Sequence, residues 1–191
     1  MPESNPEALN FLLSRRSRPA KTLGGPTPDH DTLSTILTAA ARSPDHGALE
    51  PWRFIVLGPK TLGQLAEIAR QRAPALGIES ERVEKGVRQF SDAELAIAVI
   101  SSPKPSVKIP KIEQIYSAGA VCLALLNAAL ASGWGANWLT GWACYDREFM
   151  AQGLNLARHE SVAGFIHIGT ETATPAERPR PDLAGIIEWR D

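Results

Sequence analysis

Three clusters in this 191-residue chain have the residue types to do chemistry. The first is Arg15-Arg16-Ser17-Arg18-Pro19, three guanidiniums around one hydroxyl, halted by a proline. Planar guanidinium forks suit a phosphate, or the polar edge of a heterocycle, better than point-like ammonium charges do. The same arginines close a short helix, where positive charge complements the macrodipole, so a capping reading stands beside the anion-holding one. The second cluster is Asp45-His46-Gly47-Ala48-Leu49-Glu50, clamped between Pro44 and Pro51 with Arg42 and Arg53 just outside. A polar loop held between apolar elements is a frequent seat of function. The third runs from Trp134 through Asn137, Trp138, Leu139 and Thr140 to Trp142. Its tryptophans either fill a core or wall a flat aromatic ligand, with Asn137 and Thr140 as hydrogen-bonding groups.

Other chemistries lack their residues. There is no GxSxG elbow, no GxGxxG after a strand and no Walker loop. His30, His46, His159 and His167 have no metal-ligand spacing, so no metal is expected, and no catalytic nucleophile or acid–base dyad stands out. A net charge of −1 offers nothing to nucleic acid or an anionic membrane. Cys122 and Cys144 sit in apolar surroundings without a CxxC pattern, which disfavours a disulfide framework and favours a reducing cytoplasm. The opening MPESNPEALN lacks the layout of a signal peptide.

With 43% apolar and 21% charged residues, the chain has the composition of one globular domain over residues 1–191. Leu9, Leu12 and Leu13 give Pro6 to Arg16 helical spacing. Thr27-Pro28 reads as the cap and first turn of a second helix, with Leu33, Ile36, Leu37, Ala40 and Ala41 on one face. Pro44 ends it, and Trp52 to Leu57 is aromatic and branched enough for a strand. Leu62, Leu65, Ala66, Ile68 and Ala69 mark a third helix. Residues 70–92 are rich in charge and poor in anchors, which reads as a solvated helix or mobile excursion, with a lid over a pocket as the sharper alternative. Leu95 to Ile100 reads as a strand. Ile112 to Ser132 is a helix apolar nearly all round, so it is expected to be buried on all sides as a core helix, in part by a second subunit, rather than to span a membrane. Ala136 to Trp142 and Val162 to Gly169 read as strands, and Asp146 to Leu156 as a short helix. Residues 170–191, with an apolar end at Ile186, Ile187 and Trp189, read as an extended arm that packs elsewhere. Helices interleaved with strands give an α+β sandwich.

Five segments, in order along essentially the whole chain, resemble the nitroreductase family of flavoproteins in its short, single-domain branch. Arg15-Arg16-Ser17 matches the family's RRS signature. Ala41-Arg42-Ser43-Pro44-Asp45-His46, with Glu50-Pro51-Trp52-Arg53-Phe54 behind it, is similar to the family's RAPDH…QPWHF segment. Glu113-Gln114 before Ser117-Ala118-Gly119-Ala120, then Gly133 to Gly141, then Gly164-Phe165-Ile166-His167-Ile168-Gly169-Thr170 complete the set. The resemblance implies a mostly antiparallel central sheet flanked by helices, a long buried central helix, and a homodimer with FMN at the subunit interface. It implies hydride transfer from NADH or NADPH to FMN, and then to a small acceptor such as a nitroaromatic or a quinone. Dehalogenation, dehydrogenation or a non-catalytic flavin-binding or structural dimer are the other tasks such a chain could carry. By position, Arg15, Arg16 and Ser17 would contact the flavin phosphate and ring edge, Arg42 and His46 would bind from the opening loop, and Trp138, Leu139 and Thr140 from the later segment. Some relatives have arginine where this chain has Leu139, which leaves Leu139 a backbone role at most. Arg178 and Arg180 are further phosphate partners to test. Asp45 and Glu50 are expected to hold the turn's backbone and the neighbouring arginines, with Trp52 anchoring the strand behind.

Overall fold

An eleven-residue strand, β5 (Ser161–Glu171), organises the computed structural model, which describes residues 3–190. On one side it pairs with β3 (Ala96–Ser101), which pairs in turn with β2 (Trp52–Leu57); β4 (Gly135–Leu139) also pairs with β5. A two-residue strand, β1 (Leu23–Gly24), holds the far end of β5 at Thr170 and Glu171. Every pairing is antiparallel. All six residues of β3 are buried, because helices cover both faces of the sheet.

The alternation of side chains divides the core in two. Ala96, Ala98 and Ile100 of β3 and Phe165 of β5 face α3 (Pro59–Arg72), α4 (Ser80–Ser91) and α6 (Arg147–Leu154). Ile97 and Val99, with Ile166 and Ile168, face α2 (His30–Ala40) and the long α5 (Lys111–Ala131). A short α1 (Pro6–Ser14) precedes them and buries none of its residues. Ion pairs tie the periphery: Arg72 reaches Asp146 at 2.7 Å and Glu148 at 2.6 Å, joining α3 to the start of α6. Arg53 donates two hydrogen bonds to Glu160, at 2.7 and 2.9 Å, joining β2 to the turn before β5.

Several boundaries differ from those expected. The cap of α2 is Asp29, not Thr27, because the Asp29 carboxylate accepts the Thr32 N–H at 2.8 Å and leaves Thr27-Pro28 outside the helix. Residues 70–92 are not an excursion. Helix α3 runs on to Arg72, a tight 3-10 turn covers Ala73–Leu76, and α4 docks through Gly86, Val87 and Phe90. Phe90 stacks on Phe149 and meets Phe165 edge-to-face, at centroid distances of 5.4 and 5.1 Å. The strand expected over 136–142 stops at Leu139, since the backbone swings out at Gly141 (φ 106°) and carries Trp142 onto Gly86. Helix α5 is buried along the sheet but not all round: Ile112, Ile115, Tyr116 and Leu123 are exposed in the single chain. Beyond β5, a 3-10 turn at Leu183–Gly185 interrupts an otherwise irregular, exposed segment.

Candidate functional site

The N-terminal arginine segment is strapped to the edge of β4. The Arg18 N–H donates to the Ala136 carbonyl at 2.8 Å, and the Asn137 side-chain amide donates to the Arg18 carbonyl at 2.7 Å. Arg18 also pairs with Glu171 at 3.2 Å. Upstream, Arg15 donates to the Ser17 hydroxyl at 3.0 Å, and Arg16 donates to the Ser17 carbonyl at 3.1 Å and to Ala176 in the tail at 3.3 Å. The tail thus returns to this segment and brings Arg180 with it, which also pairs with Glu177 at 2.8 Å. Burial, then Arg180, then Arg16 lower the pKa of Arg15, the mark of cations crowded without a counter-charge. Arg178 engages Glu177 only through its backbone N–H among the contacts described.

Just downstream, Pro19, Ala20 and Lys21 form one wall of a cavity of about 700 Å³. Helix α4 supplies the opposite wall with Lys85, Arg88 and Gln89, and Asn137, Leu139 and His167 form the sheet side. The β4–β5 register puts Asn137 opposite His167 and Leu139 opposite Phe165, all on the sheet face toward α4. A second depression of about 380 Å³ shares Lys85, Gln89 and Leu139 with it and adds Thr140 and Gly141. Leu139 and Thr140 therefore border the same hollow. Trp138 points the other way: its indole lies over Gly164, among the residues that face α5, leaving its backbone to the site. Trp134 packs on that face too, and Trp142 packs on Gly86 and donates to the Arg82 carbonyl at 3.3 Å. The tryptophan side chains are core and wall, not a sandwich for a ring.

The loop of Arg42 and His46 lies elsewhere. His46 Nδ1 sits 2.6 Å from Glu113 at the head of α5, and the Ser117 hydroxyl donates to the Pro44 carbonyl at 2.7 Å while accepting from the Trp52 indole at 3.1 Å. Asp45 does hold the turn, accepting the Glu50 N–H at 2.5 Å. The expected bond from Glu50 to a neighbouring arginine does not form; Arg53 turns to Glu160 instead. Ala48 (φ 50°) and Glu50 (φ 47°) are left-handed without being glycine, and Gly47 (φ 76°) has Ile109 against the place a Cβ would take. Such strain persists where surrounding structure fixes a loop for a task. This loop, with Glu113, Tyr116 and Ser117, lines a shallow hollow of about 540 Å³ that shares no residue with the first cavity. Arg42 is exposed at the end of α2 and lines neither. One chain therefore ties the segment after Arg15, Arg16 and Ser17 to β4 through Arg18, at Ala136 and Asn137, while Leu139 and Thr140 border the hollow further along; Arg42 and His46 lie apart from both.

Lys85, Arg88, Gln89 and His167 escape sequence reasoning. The first three are hidden in a charge run whose buried anchors, Val87 and Phe90, were the available signal; His167 sits in a strand whose facing depends on pairing. Gln89 and His167 in the cavity wall carry unpartnered polar atoms, as do Arg15 and Arg16 upstream of it and Ser101, Asn127 and Glu171 elsewhere. Arg15 Nε, Arg16 Nε, Gln89 Nε2 and both ring nitrogens of His167 are buried without a hydrogen-bond partner among the described residues. Lys21, Lys85 and Arg88 share the lining with Glu81, Glu84 and Asp92, so its charge is balanced; its N–H donors suit an acceptor-rich ring edge, while a phosphate is better matched by Arg15, Arg16 and Arg180, cations crowded without a counter-charge. No cluster of three or more metal-ligating side chains occurs among the described residues.

Comparison with known proteins agrees with this architecture. The nitroreductase family model matches residues 12–170. YdjA of Escherichia coli K12, named as an NAD(P)H nitroreductase, is 31% identical over 164 residues, covering 86% of this chain and 88% of that protein. A Haemophilus influenzae protein with the same type of name is 30% identical over 166 residues, with the same coverage of 86% and 88%. Among solved structures, a nitroreductase-like protein from Bacillus cereus superposes with a TM-score of 0.81 at 22% identity, covering 99% of this chain and 98% of that one. A nitroreductase with bound FMN from Bacteroides fragilis gives 0.74 at 20% identity, covering 98% and 100%.

Proposed function

The chain belongs to the nitroreductase family, and on that footing we propose that it is an FMN-dependent NAD(P)H oxidoreductase acting on a nitroaromatic, quinone or similar small acceptor. The observation that carries this reading is the unpartnered Gln89 amide and His167 imidazole in the wall of the cavity between α4 and β4–β5, together with the crowded Arg15, Arg16 and Arg180 on the segment that leads into it. When bound, FMN supplies the redox chemistry, taking a hydride from NAD(P)H and passing it to the acceptor. The chain's residues bind, orient and tune. Arg15, Arg16 and Arg180 present guanidinium forks to the phosphate, and Ser17 fixes Arg15 through its hydroxyl. Leu139 and Thr140 border the ring through their backbone, held in place by Trp138 behind them. Lys21, Lys85 and Arg88, which share the lining with Glu81, Glu84 and Asp92, supply N–H donors for hydrogen bonds to negative charge developing on a reduced ligand.

The missing half of the site implies a second subunit. His46 and Arg42 lie apart from the cavity, so in this reading they reach the flavin of the other protomer across a homodimer interface. Exposed Leu9, Leu12 and Leu13 on α1, Ile115, Tyr116 and Leu123 on α5, and Ile186 and Trp189 in the tail supply the apolar surface such an interface needs, commonly more than ~2,000 Å². The single domain and its C-terminal arm, seated on the partner, belong to the same proposal. Free, buried Cys122 and Cys144, their thiols pushed up to about 12 by burial, suit the cytoplasm.

The test is the visible spectrum of protein reconstituted with FMN, before and after anaerobic NAD(P)H. A flavin band that NAD(P)H bleaches, and that a nitroaromatic restores, is expected. A protein that takes up no flavin contradicts the reading; one whose flavin NAD(P)H does not reduce is a non-catalytic binder. Reduction by NAD(P)H without reoxidation by nitro compounds or quinones would instead assign it dehalogenation or another redox task.

A further inference from the structure

His167 is 2% exposed in the middle of β5, yet neither ring nitrogen has a hydrogen-bond partner among the described residues. The sheet face around it is apolar: Ala96 lies opposite on β3, and Ala98 and Phe165 share that face. An aliphatic side chain would satisfy packing at this point without the cost of burying two polar atoms. The imidazole instead lines the 700 Å³ cavity beside Asn137 and across from Gln89, whose amide nitrogen is also buried without a partner. Burial pushes the His167 pKa down to about 4, so at neutral pH the ring is uncharged and offers one donor and one acceptor.

We propose that His167 is a ligand-positioning residue, a neutral imidazole in the cavity wall that hydrogen-bonds the polar edge of the ring bound there. This rests on the flavin reading, which makes that ring the FMN heterocycle, whose edge carries both carbonyl acceptors and an N–H donor. A neutral imidazole matches such an edge in a way the surrounding lysines and arginines, donors only, do not. His167 thereby selects for a ring with alternating acceptor and donor, while the arginines select for the phosphate.

The test measures FMN binding to the apoprotein by flavin fluorescence, for wild type, His167→Leu and His167→Asn, with thermal unfolding of each apoprotein alongside. Side-chain ¹⁵N resonances of His167 are followed in the wild type as FMN is added. The Leu variant is expected to bind FMN about tenfold more weakly, the loss of one hydrogen bond to a buried group. Its apoprotein should unfold no earlier than wild type, because a buried unpaired polar group has been removed. The Asn variant, which keeps a donor and an acceptor, should recover most of the affinity, and the imidazole nitrogens should shift on FMN addition. Wild-type affinity in a folded Leu variant, or imidazole resonances unmoved at FMN saturation, would overturn the proposal while leaving the flavin reading intact. If the Leu variant does not fold, the Asn variant and the resonances decide. Wild-type apoprotein that binds no FMN overturns both.

Discussion

Arg15 separates two physical roles that its position allows. It closes α1, where a cation stabilises the helix end, and it is crowded by Arg16 and Arg180, the group proposed to hold the phosphate. Replacing it by glutamine removes the charge and keeps a polar head. In the ligand-free protein the guanidinium is held against burial and two like charges, which lower its pKa. A basic group with a lowered folded-state pKa opposes folding wherever it is charged, and arginine is charged at every accessible pH. The ligand-free Arg15→Gln protein should therefore be as stable as wild type or slightly more so. Against FMN the sign reverses. One charge-assisted hydrogen bond to phosphate contributes about 1.5–3 kcal/mol, which converts to a loss of roughly 10- to 150-fold in affinity. Riboflavin has the same ring and no phosphate, so its affinity should change by less than about twofold. Fluorescence titration of the apoprotein with both ligands measures the two numbers side by side. An equal loss for riboflavin would refute the phosphate role. A fall in ligand-free stability of about 1 kcal/mol, with FMN affinity unchanged, would return Arg15 to capping.

Two further outcomes follow from the geometry. Glu160, held by the bidentate Arg53 contact and by the Ala157 N–H, has its pKa lowered from 4.5 to about 2, so its contribution is complete above pH 4.5 and disappears as pH falls toward 2. Glu160→Gln should cost about 2 kcal/mol at pH 7, below the value for a fully buried pair because solvent screens half-exposed Arg53, and urea unfolding should show the gap closing by pH 3; a gap unchanged at pH 3 would contradict it. Leu123→Glu places a charge on the exposed apolar face of α5 and should yield monomers by light scattering together with loss of flavin; a dimer with full flavin would show that the interface lies elsewhere.

What the sequence makes legible is local. Trp52 to Leu57 is read to the residue because Pro51 and Gly58 bracket an aromatic, branched run. Two-residue β1 carries no periodicity, and only the end of β5 makes it a strand. In α4 the charges of Glu81, Arg82, Glu84, Lys85 and Arg88 outweigh Val83, Val87 and Phe90, so a docked helix reads as solvent-bound. Half of the site follows the same division. Leu139 and Thr140 are conspicuous as a motif and border one hollow, whereas Arg15, Arg16 and Ser17, equally conspicuous, connect to β4 through Arg18 and line no hollow described. The facing of Asn137 and His167 is a product of β4–β5 register, and the His46–Glu113 contact spans 67 residues; neither is encoded in any window of sequence. Nor does a motif say which protomer a residue serves. His46 and Arg15 look like one site in the chain and lie at two in the fold.

That division gives the most direct test of a flavin site shared between subunits. Arg15→Glu should disable the phosphate half of each site, and a double variant, Arg42→Glu with His46→Glu, the loop half. Each homodimer should then bind little FMN. Co-refolding the two in equal amounts produces mixed dimers in which one site is intact and the other doubly impaired, so bound flavin should return to about a quarter of the wild-type level for random pairing. If each site lies within one chain, no mixture contains an intact site, and the flavin content would stay at the level of the separate variants.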